Sequence, residues 1–260
     1  MRELERDSLP SPLSAGPLVV VGRGRVGGSL SRAAELAGID VRTAGRDEAL
    51  GGAGAVLLCV PDDAITEVCA HIAAAAPPLV GHVSGASALD ALAPVRERGG
   101  STFSLHPLQT FADDYTPIEG TPAAIAGSDE AGISFARSLA ESLGMRPFEL
   151  LEESRAAYHA AAAMASNLLV ALEESAAELV ERLGVEDARE LLAPLVLRTA
   201  ANWAERGPAA LTGPIARGDR ATVERHRAAL AETAPELLPT YDALAARAEA
   251  VAGESVEASA

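Results

Sequence analysis

Three glycines near the start of the chain have the spacing of a dinucleotide-binding turn. Gly22, Gly24 and Gly27 form the pattern GxGxxG in VVVGRGRVGG, after an apolar run and before a helical pattern. In that context the first glycine makes the tight turn, the second lets the backbone approach a pyrophosphate, and the third allows close helix–strand packing. The helix N-terminus then holds the anion. The motif predicts a cofactor site that includes Arg25 and Val26 between the glycines.

The end of the second predicted strand discriminates between the two nicotinamide cofactors. An NAD enzyme usually has Asp or Glu there to bind the ribose hydroxyls, whereas a nearby arginine suits the 2′-phosphate of NADP. Here Arg46 occupies that point, and residues 18–47 contain more arginines than acids although the whole chain has net charge −16. We therefore expect NADP, with NAD less favoured. Asp47 keeps NAD open, since a shift of one residue would bring its carboxylate to the ribose.

Histidines supply the candidate acid–base groups. His82 ends a predicted strand in GHVSGAS, and His106 follows another in LHPLQTF, where the functional loops of open α/β sheets emerge. His159 lies on a helical segment. We expect His159 or His106 to be the proton donor of the site, with Ser84 positioning the substrate.

The same helical segment carries a second polar group, Asn167, on the face of His159. An imidazole and a carboxamide on an Ala-rich helix are costly to bury unless they are paired. One interpretation is a polar stripe at the cofactor cleft, where Asn167 would position the substrate. A second is a satisfied interhelical hydrogen bond, and a third is exposure of these groups to solvent. A later loop, LTGPIARGD, has two interpretations. Thr212 and Arg217 supply donors for a carboxylate, or the loop packs against a partner subunit.

The elements that must position these groups form two regions. From Leu18 to about Phe148, short apolar runs alternate with helical patterns, which is typical of βαβ units and a mainly parallel sheet. The predicted strands are Leu18–Val21, Val41–Ala44, Ala55–Val60, Leu79–Val83, Thr102–Leu105, Ala123–Ala126 and Arg146–Phe148. The predicted helices between them are Val26–Leu36, Ala64–Ala75 and Asp129–Leu143.

From Ser154 onward the sequence predicts helices and no strand. One helix runs from Ser154 to about Leu183, the next starts at Asp187 and is kinked at Pro194, and another is capped by Asp219. Pro235 opens the last helix, which decays into GESVEASA. The fold class is therefore α/β, a Rossmann domain over residues 17–150 followed by an all-α domain over residues 151–252. Alanine runs at Ala160–Ala163 and Ala243–Ala246 predict a homodimer built through this second domain.

Composition excludes several functions. The net charge of −16 argues against nucleic-acid binding, and the absence of lysine excludes Schiff-base chemistry. Cys59 and Cys69, the only cysteines, make neither a disulfide framework nor a metal site. No apolar run is long enough to span a membrane, and we expect the first sixteen residues to form a flexible tail and not a signal peptide. We expect a cytoplasmic protein with a small-molecule substrate.

Several segments together resemble a known family. They are VVVGRGRVGGSL, LLCVPDDAI, HVSGAS, LHPLQTF, YHAAAAMASN and LTGPIARGD. The chain resembles the Rossmann-like predicted oxidoreductases that carry a C-terminal helical domain of unknown function. The resemblance implies a layout similar to the 6-phosphogluconate dehydrogenase superfamily, including ketopantoate reductase, pyrroline-5-carboxylate reductase and deazaflavin-dependent NADP reductase. It also places Val60 and Pro61, in LLCVPDDAI, in the cofactor site.

The chain departs from these relatives at one catalytic position. In ketopantoate reductase and the hydroxyacid dehydrogenases, a lysine four residues before an asparagine acts in catalysis. The matching asparagine is Asn167, but the lysine position holds Ala163, and the nearest titratable group is His159.

The favoured interpretation is an NADP-dependent enzyme that transfers a hydride to or from a small carbonyl or imine bearing a carboxylate, with a ketopantoate-type reduction as the leading guess. We expect the active site where the strand ends meet the helix beginning at Ser154. The alternative is a non-catalytic dinucleotide-sensing or regulatory protein. The missing lysine favours this alternative, whereas the histidines in the loops favour the enzyme.

Overall fold

The computed structural model describes residues 16–46, 48, 50–73 and 79–257, and its first region is a seven-stranded sheet. The strands are β1 Leu18–Val21, β2 Val41–Ala44, β3 Ala55–Leu58, β4 Leu79–His82, β5 Ser101–Pro107, β6 Pro122–Gly127 and β7 Arg146–Glu149. Each predicted strand is present, with ends shifted by at most two residues. The predicted N-terminal tail lies outside the described residues apart from Gly16.

The strand order places the glycine turn after β1 at a switch point of the sheet. The strands lie in the order β2-β1-β3-β4-β5-β6-β7, and every neighbouring pair is parallel except β5 and β6. The order therefore reverses at β1, which lies between β2 and β3. Ligands of open α/β sheets bind outside the carboxyl ends of the strands at such a switch point. The predicted mainly parallel Rossmann sheet is confirmed.

Helices cover both faces of the sheet and bury a core on each. On one face α1 Arg25–Leu36 and α4 Glu130–Ser142 pack against side chains that include Phe103 and Leu105. On the other, α2 Ile65–Ile72 and the short α3 Ala93–Arg96 cover a second core. Because side chains alternate along a strand, Ser104 and His106 of β5 belong to the face opposite Phe103.

The second region is helical throughout its described residues. Its helices are α5 Arg155–Ala165, α6 Asn167–Arg182, α7 Ala188–Arg206, α8 Gly213–Ala216, α9 Arg220–Thr233 and α10 Leu238–Glu257. The predicted continuous helix from Ser154 to Leu183 is wrong, because Ser166 interrupts it with φ −133° and ψ −83°. Ser166 and Asn167 have side chains that compete for backbone hydrogen bonds, which favours helix ends over helix interiors.

Two other expectations for this region need correction. The last helix continues to Glu257 and does not decay after the predicted domain end at residue 252, and part of the LTGPIARGD loop forms α8.

The chain divides into two compact units between Ala163 and Met164. Most of α5 thus belongs to the unit that contains the sheet, while the predicted domain boundary near residue 150 stays a prediction. No helix within the described ranges is long and apolar enough to cross a membrane.

Gly81, in the middle of β4, provides a test of the side-chain packing at the centre of the sheet. A Cβ atom at this position would lie 2.4 Å from the Phe103 ring of the neighbouring strand. We predict that Gly81→Ala lowers the free energy of unfolding by about 1–3 kcal/mol, the usual cost of overpacking a core. Urea denaturation measures the change. Gly51→Ala is the control, since its Cβ would meet no atom within 4 Å, and equal destabilisation by both would contradict the packing argument.

Candidate active site

Two glycines of the turn after β1, Gly22 and Gly27, leave no room for side chains. Gly22 has φ +115°, and a Cβ there would lie 2.2 Å from the Cys59 carbonyl oxygen. A Cβ on Gly27 would lie 2.1 Å from the Gly22 carbonyl oxygen. Both positions therefore require glycine, for the close strand and helix packing that the motif predicts.

The N-terminus of α1 has the features of an anion site. Gly24 is its N-cap residue, no side chain caps it, and its first turn contains no acidic residue. A Cβ on Gly24 would meet no atom within 4 Å, so the space before the helix is open. The first amides of a helix lack intrahelical acceptors and carry the positive end of the helix dipole. These residues therefore fit a pyrophosphate, and the amides of Arg25 and Val26 face the same end.

The predicted basic patch beside this turn is partly neutralised. The Arg23 guanidinium forms an ion pair with Glu48, with Nη2 2.8 Å from Oε1, and both side chains are about half exposed. Arg46 is exposed at the end of β2, as a contact to a 2′-phosphate requires. Asp47 lies outside the described residues. Val60 is half-buried and Pro61 is exposed directly after β3, beside the switch point.

His106 lies inside β5, near its carboxyl end, and not in the loop after it. Its Nδ1 is 2.8 Å from the hydroxyl of Tyr158, a residue of α5. The rings of His106 and His159 have centroids 6.2 Å apart. The sheet end and the first turns of α5 therefore bring the two predicted acid–base candidates together within one compact unit.

Gly85, in the loop after β4, lies against both imidazoles. A Cβ on Gly85 would be 2.8 Å from Nε2 of His106 and 2.8 Å from Cδ2 of His159. The missing side chain thus lets both rings approach the loop. The segment HVSGAS supplies this glycine, which the sequence analysis did not single out.

The environment of His106 favours the neutral imidazole. Burial, with smaller contributions from the nearby His159 and Arg155, lowers the pKa of His106 to about 4, whereas Asp62 acts in the opposite direction. At neutral pH the ring therefore carries one proton, on either Nδ1 or Nε2. The side chain of His159 is half-buried, so it is more exposed to solvent than a residue of the core.

Ser84 is buried, and its hydroxyl is already engaged. It donates to Asp62 Oδ2 at 2.8 Å and accepts from the amides of Ala86, at 3.2 Å, and Ser87, at 2.9 Å. These bonds hold the loop that presents Gly85. A substrate contact by Ser84 stays a prediction, and its observed role is to shape this loop.

Arg155 is another residue near the candidate site that the sequence analysis did not single out. Its side chain is only 3% exposed and pairs with Glu152, with Nη2 2.5 Å from Oε1. Nη2 also donates to Ser104 Oγ at 2.8 Å, and Nη1 to the Ser84 carbonyl oxygen at 3.4 Å. The other Glu152 oxygen accepts from the Leu89 amide at 2.9 Å. The i, i+3 spacing of Glu152 and Arg155 was the available sequence signal.

Two other candidates do not join the imidazole pair. His82 is completely buried, and burial, followed by the charge of Arg155, lowers its pKa to about 4; we therefore assign it to the core. Asn167 begins α6 in the other compact unit and is no longer on one continuous helix with His159. Its proposed role, like that of Thr212 and Arg217, stays a prediction.

Comparison with known families identifies both regions of the chain. Residues 39–107 match the model of a Rossmann-like domain, and residues 121–248 match that of a domain of unknown function, DUF2520. The chain therefore joins a Rossmann-like domain to a DUF2520 domain, which confirms the resemblance drawn from its motifs. His106 lies in the first matched region and His159 in the second, so each matched region contributes one imidazole of the pair.

Solved structures share this fold over most of their length. A Bacteroides fragilis protein assigned as an NADP oxidoreductase is 21% identical, with 91% of this chain and 99% of that chain covered and a TM-score of 0.75. The Thermotoga maritima protein TM1727 is 24% identical, with 92% and 99% covered and a TM-score of 0.74. A reductive aminase from Aspergillus terreus, in complex with NADPH and ethyl-5-oxohexanoate, is 18% identical, with 90% and 94% covered and a TM-score of 0.64. No curated protein matches the sequence.

The Arg155 network gives a prediction about stability. Arg155→Met keeps most of the volume but leaves Ser104, the Ser84 carbonyl and Glu152 without their partner. We expect the free energy of unfolding to fall by about 2–3 kcal/mol, the scale for buried groups that lose charged hydrogen bonds. Thermal or urea unfolding measures it.

The matched control is Arg189→Met, which removes the same type of ion pair, to Glu174, from an exposed position. Exposed pairs contribute little to stability, so this variant should unfold like the wild type. An Arg155→Met protein as stable as the control would show that the network is not a structural anchor.

Proposed function

We propose that this protein is an NADP-dependent oxidoreductase that acts on a small carbonyl or imine bearing a carboxylate. The observation that carries the proposal is the pairing of His106 and His159 over Gly85, in the unit whose glycine turn and open helix N-terminus suit a dinucleotide. The likeness to a reductive aminase in complex with NADPH supports it. A 2-oxo acid of the ketopantoate type is the leading candidate substrate.

A bound nicotinamide cofactor would supply the hydride for this reaction. The chain's own residues then have separate tasks. Gly22, Gly24 and Gly27 let the backbone approach the pyrophosphate, while Arg46 binds the 2′-phosphate. At neutral pH His106 is neutral, because its pKa lies near 4, and it donates a hydrogen bond to the substrate oxygen or nitrogen. His159 donates the proton that the reduced substrate takes up.

Arg46 tests the choice of cofactor. Arg46→Asp removes the charge that binds the 2′-phosphate and adds a repulsive one, so NADP binding should weaken by about 1–3 kcal/mol, the scale of charge-assisted hydrogen bonds. NAD binding should change little because NAD lacks that phosphate. Fluorescence titration of the same variant with both cofactors measures this, and an equal loss for both would exclude the assigned role of Arg46.

His159 tests the assignment of the proton donor. His159→Ala should keep NADP affinity and lose turnover by about 10²–10⁴-fold, the usual contribution of a positioned acid. His71→Ala is the control, because His71 is exposed on α2 and is not one of the candidate site residues. Normal turnover by His159→Ala would exclude His159 as the proton donor.

The substrate class requires a direct screen. Oxidation of NADPH is followed with 2-oxo acids, including ketopantoate, and with cyclic imines. Turnover that depends on a carboxylate would support the proposed class. Tight NADPH binding without turnover on any compound would instead favour a dinucleotide-sensing protein.

We also propose that the helical unit beginning at Met164 makes the protein a homodimer. Within its described residues, the buried apolar side chains are Ala177, Ala188, Leu230, Ala234 and Ala245. Larger side chains such as Leu191, Leu195 and Trp203 are at least 60% exposed, and an apolar groove of about 560 Å³ lies among α6, α8, α9 and α10. So small a core cannot offset the cost of ordering these helices. A second copy of the chain is the partner that would cover these faces.

Leu195 tests this assembly. It is 64% exposed on α7, and Leu195→Glu should convert the dimer to a monomer because a carboxylate is costly to bury in an apolar interface. Light scattering at micromolar concentration gives the mass. Leu36→Glu, at an 80% exposed leucine of α1, is the control and should remain dimeric. A monomeric wild-type protein would refute the proposal.

A further inference from the structure

We propose that Tyr158 is a positioning residue that fixes the tautomer of His106. In this assignment the Tyr158 hydroxyl donates to Nδ1, so the single proton of the neutral imidazole resides on Nε2, beside Gly85 and His159. The inference rests on the proposed function for its consequence in catalysis, while the tautomer itself can be measured on the protein without substrate.

The direction of the hydrogen bond follows from the chemistry of its two groups. Tyr158 Oη and His106 Nδ1 are 2.8 Å apart, so one of them must donate. A phenol is a stronger acid than the N–H of a neutral imidazole, and an imidazole nitrogen is a stronger base than a phenol oxygen. The O–H···N arrangement is therefore favoured. Burial raises the pKa of Tyr158, which keeps the phenol protonated and available as the donor.

Packing holds the phenol in place from two sides. The Tyr158 ring meets His106 edge-on, with centroids 5.5 Å apart, and meets Phe148 at 5.9 Å. On α5, Tyr158 and His159 follow the buried Arg155 by three and four residues, so all three share one face of the helix. The ion pair that anchors Arg155 therefore sets the positions of both Tyr158 and His159.

The opposite edge of the His106 ring is the one that can meet a substrate. Its Nε2 is next to the position where Gly85 lacks a side chain, and no described residue is hydrogen-bonded to it. A proton on Nε2 makes this edge a neutral donor that polarises a carbonyl or imine. Since a neutral imidazole N–H is a very weak acid, the transferred proton comes from another group, His159.

The test uses protein labelled with ¹⁵N in histidine. Long-range ¹H–¹⁵N spectra distinguish the two tautomers, and a His106→Asn variant assigns the His106 signals. We expect wild-type His106 to have its proton on Nε2 at neutral pH. In Tyr158→Phe, which removes only the hydroxyl and keeps the ring packing, the Nδ1–H tautomer should become populated.

A second tyrosine–histidine pair provides the control. Tyr241 Oη lies 2.9 Å from His226 Nδ1 in the helical region, and Tyr241→Phe should alter the His226 signals but leave those of His106 unchanged. On an active substrate, Tyr158→Phe should lower kcat by about 10- to 100-fold, the range for removing a hydrogen bond that orients a functional imidazole. Its KM for NADPH should not change.

Each outcome bears on a different part of the argument. A wild-type His106 with its proton on Nδ1, or a tautomer that Tyr158→Phe leaves unchanged, would overturn the role of Tyr158 even in an active enzyme. The expected tautomer shift in a protein that turns over no compound would support the role of Tyr158 and contradict the proposed reaction.

Discussion

The ion pair between the buried Arg155 and the partly exposed Glu152 connects the parts of this molecule on which the candidate site depends. Through one guanidinium, the start of α5 is bonded to Ser104 of β5 and to the Ser84 carbonyl at the end of β4. Through one carboxylate, the same segment is bonded to the Leu89 amide. Removing the guanidinium would leave the buried Ser104 hydroxyl and the Ser84 carbonyl oxygen without this donor. The pair is therefore a strong constraint on where α5 begins, and the helix carries Tyr158 and His159 with it.

This anchor has an electrostatic consequence as well as a structural one. Arg155 lies close enough to lower the pKa of both His82 and His106, in addition to the larger effect of burial. A cation that holds the site together thus also keeps the neighbouring imidazoles neutral. The folded pKa values near 4 lie below the ordinary histidine value of 6.5. As the pH falls below 6.5, the unfolded chain therefore binds protons at these two histidines before the folded chain does. Their contribution to the free energy of unfolding is present above pH 6.5 and is lost as the pH decreases towards 4.

Local patterns in the sequence predicted the fold better than they predicted the site. Backbone geometry and hydrophobic periodicity can be recognised within one short segment of sequence. They predicted the turn formed by Gly22, Gly24 and Gly27 and the seven apolar runs that form strands. Ser166 was misjudged because the apolar period continues across it, although its side chain and that of Asn167 favour a helix end. Tyr158 and Arg155 were missed for a different reason. Their partners, His106 and Ser104, lie about fifty residues away in the chain, and pairing across that distance leaves no local pattern.

The position that holds alanine in place of lysine now has a physical interpretation. Ala163 follows His159 by one helical turn, and a lysine there would add a permanent charge close to the candidate site. The chain instead has His106 and Tyr158, which can donate hydrogen bonds without a charge, and His159, whose protonated form would supply the proton to be transferred. Such a set can polarise a substrate and deliver a proton from separate groups, whereas a single ammonium would perform both tasks. The loss of the lysine is therefore compatible with an enzyme, provided that Tyr158 directs the His106 proton towards the loop at Gly85 while His159 supplies the proton to be transferred.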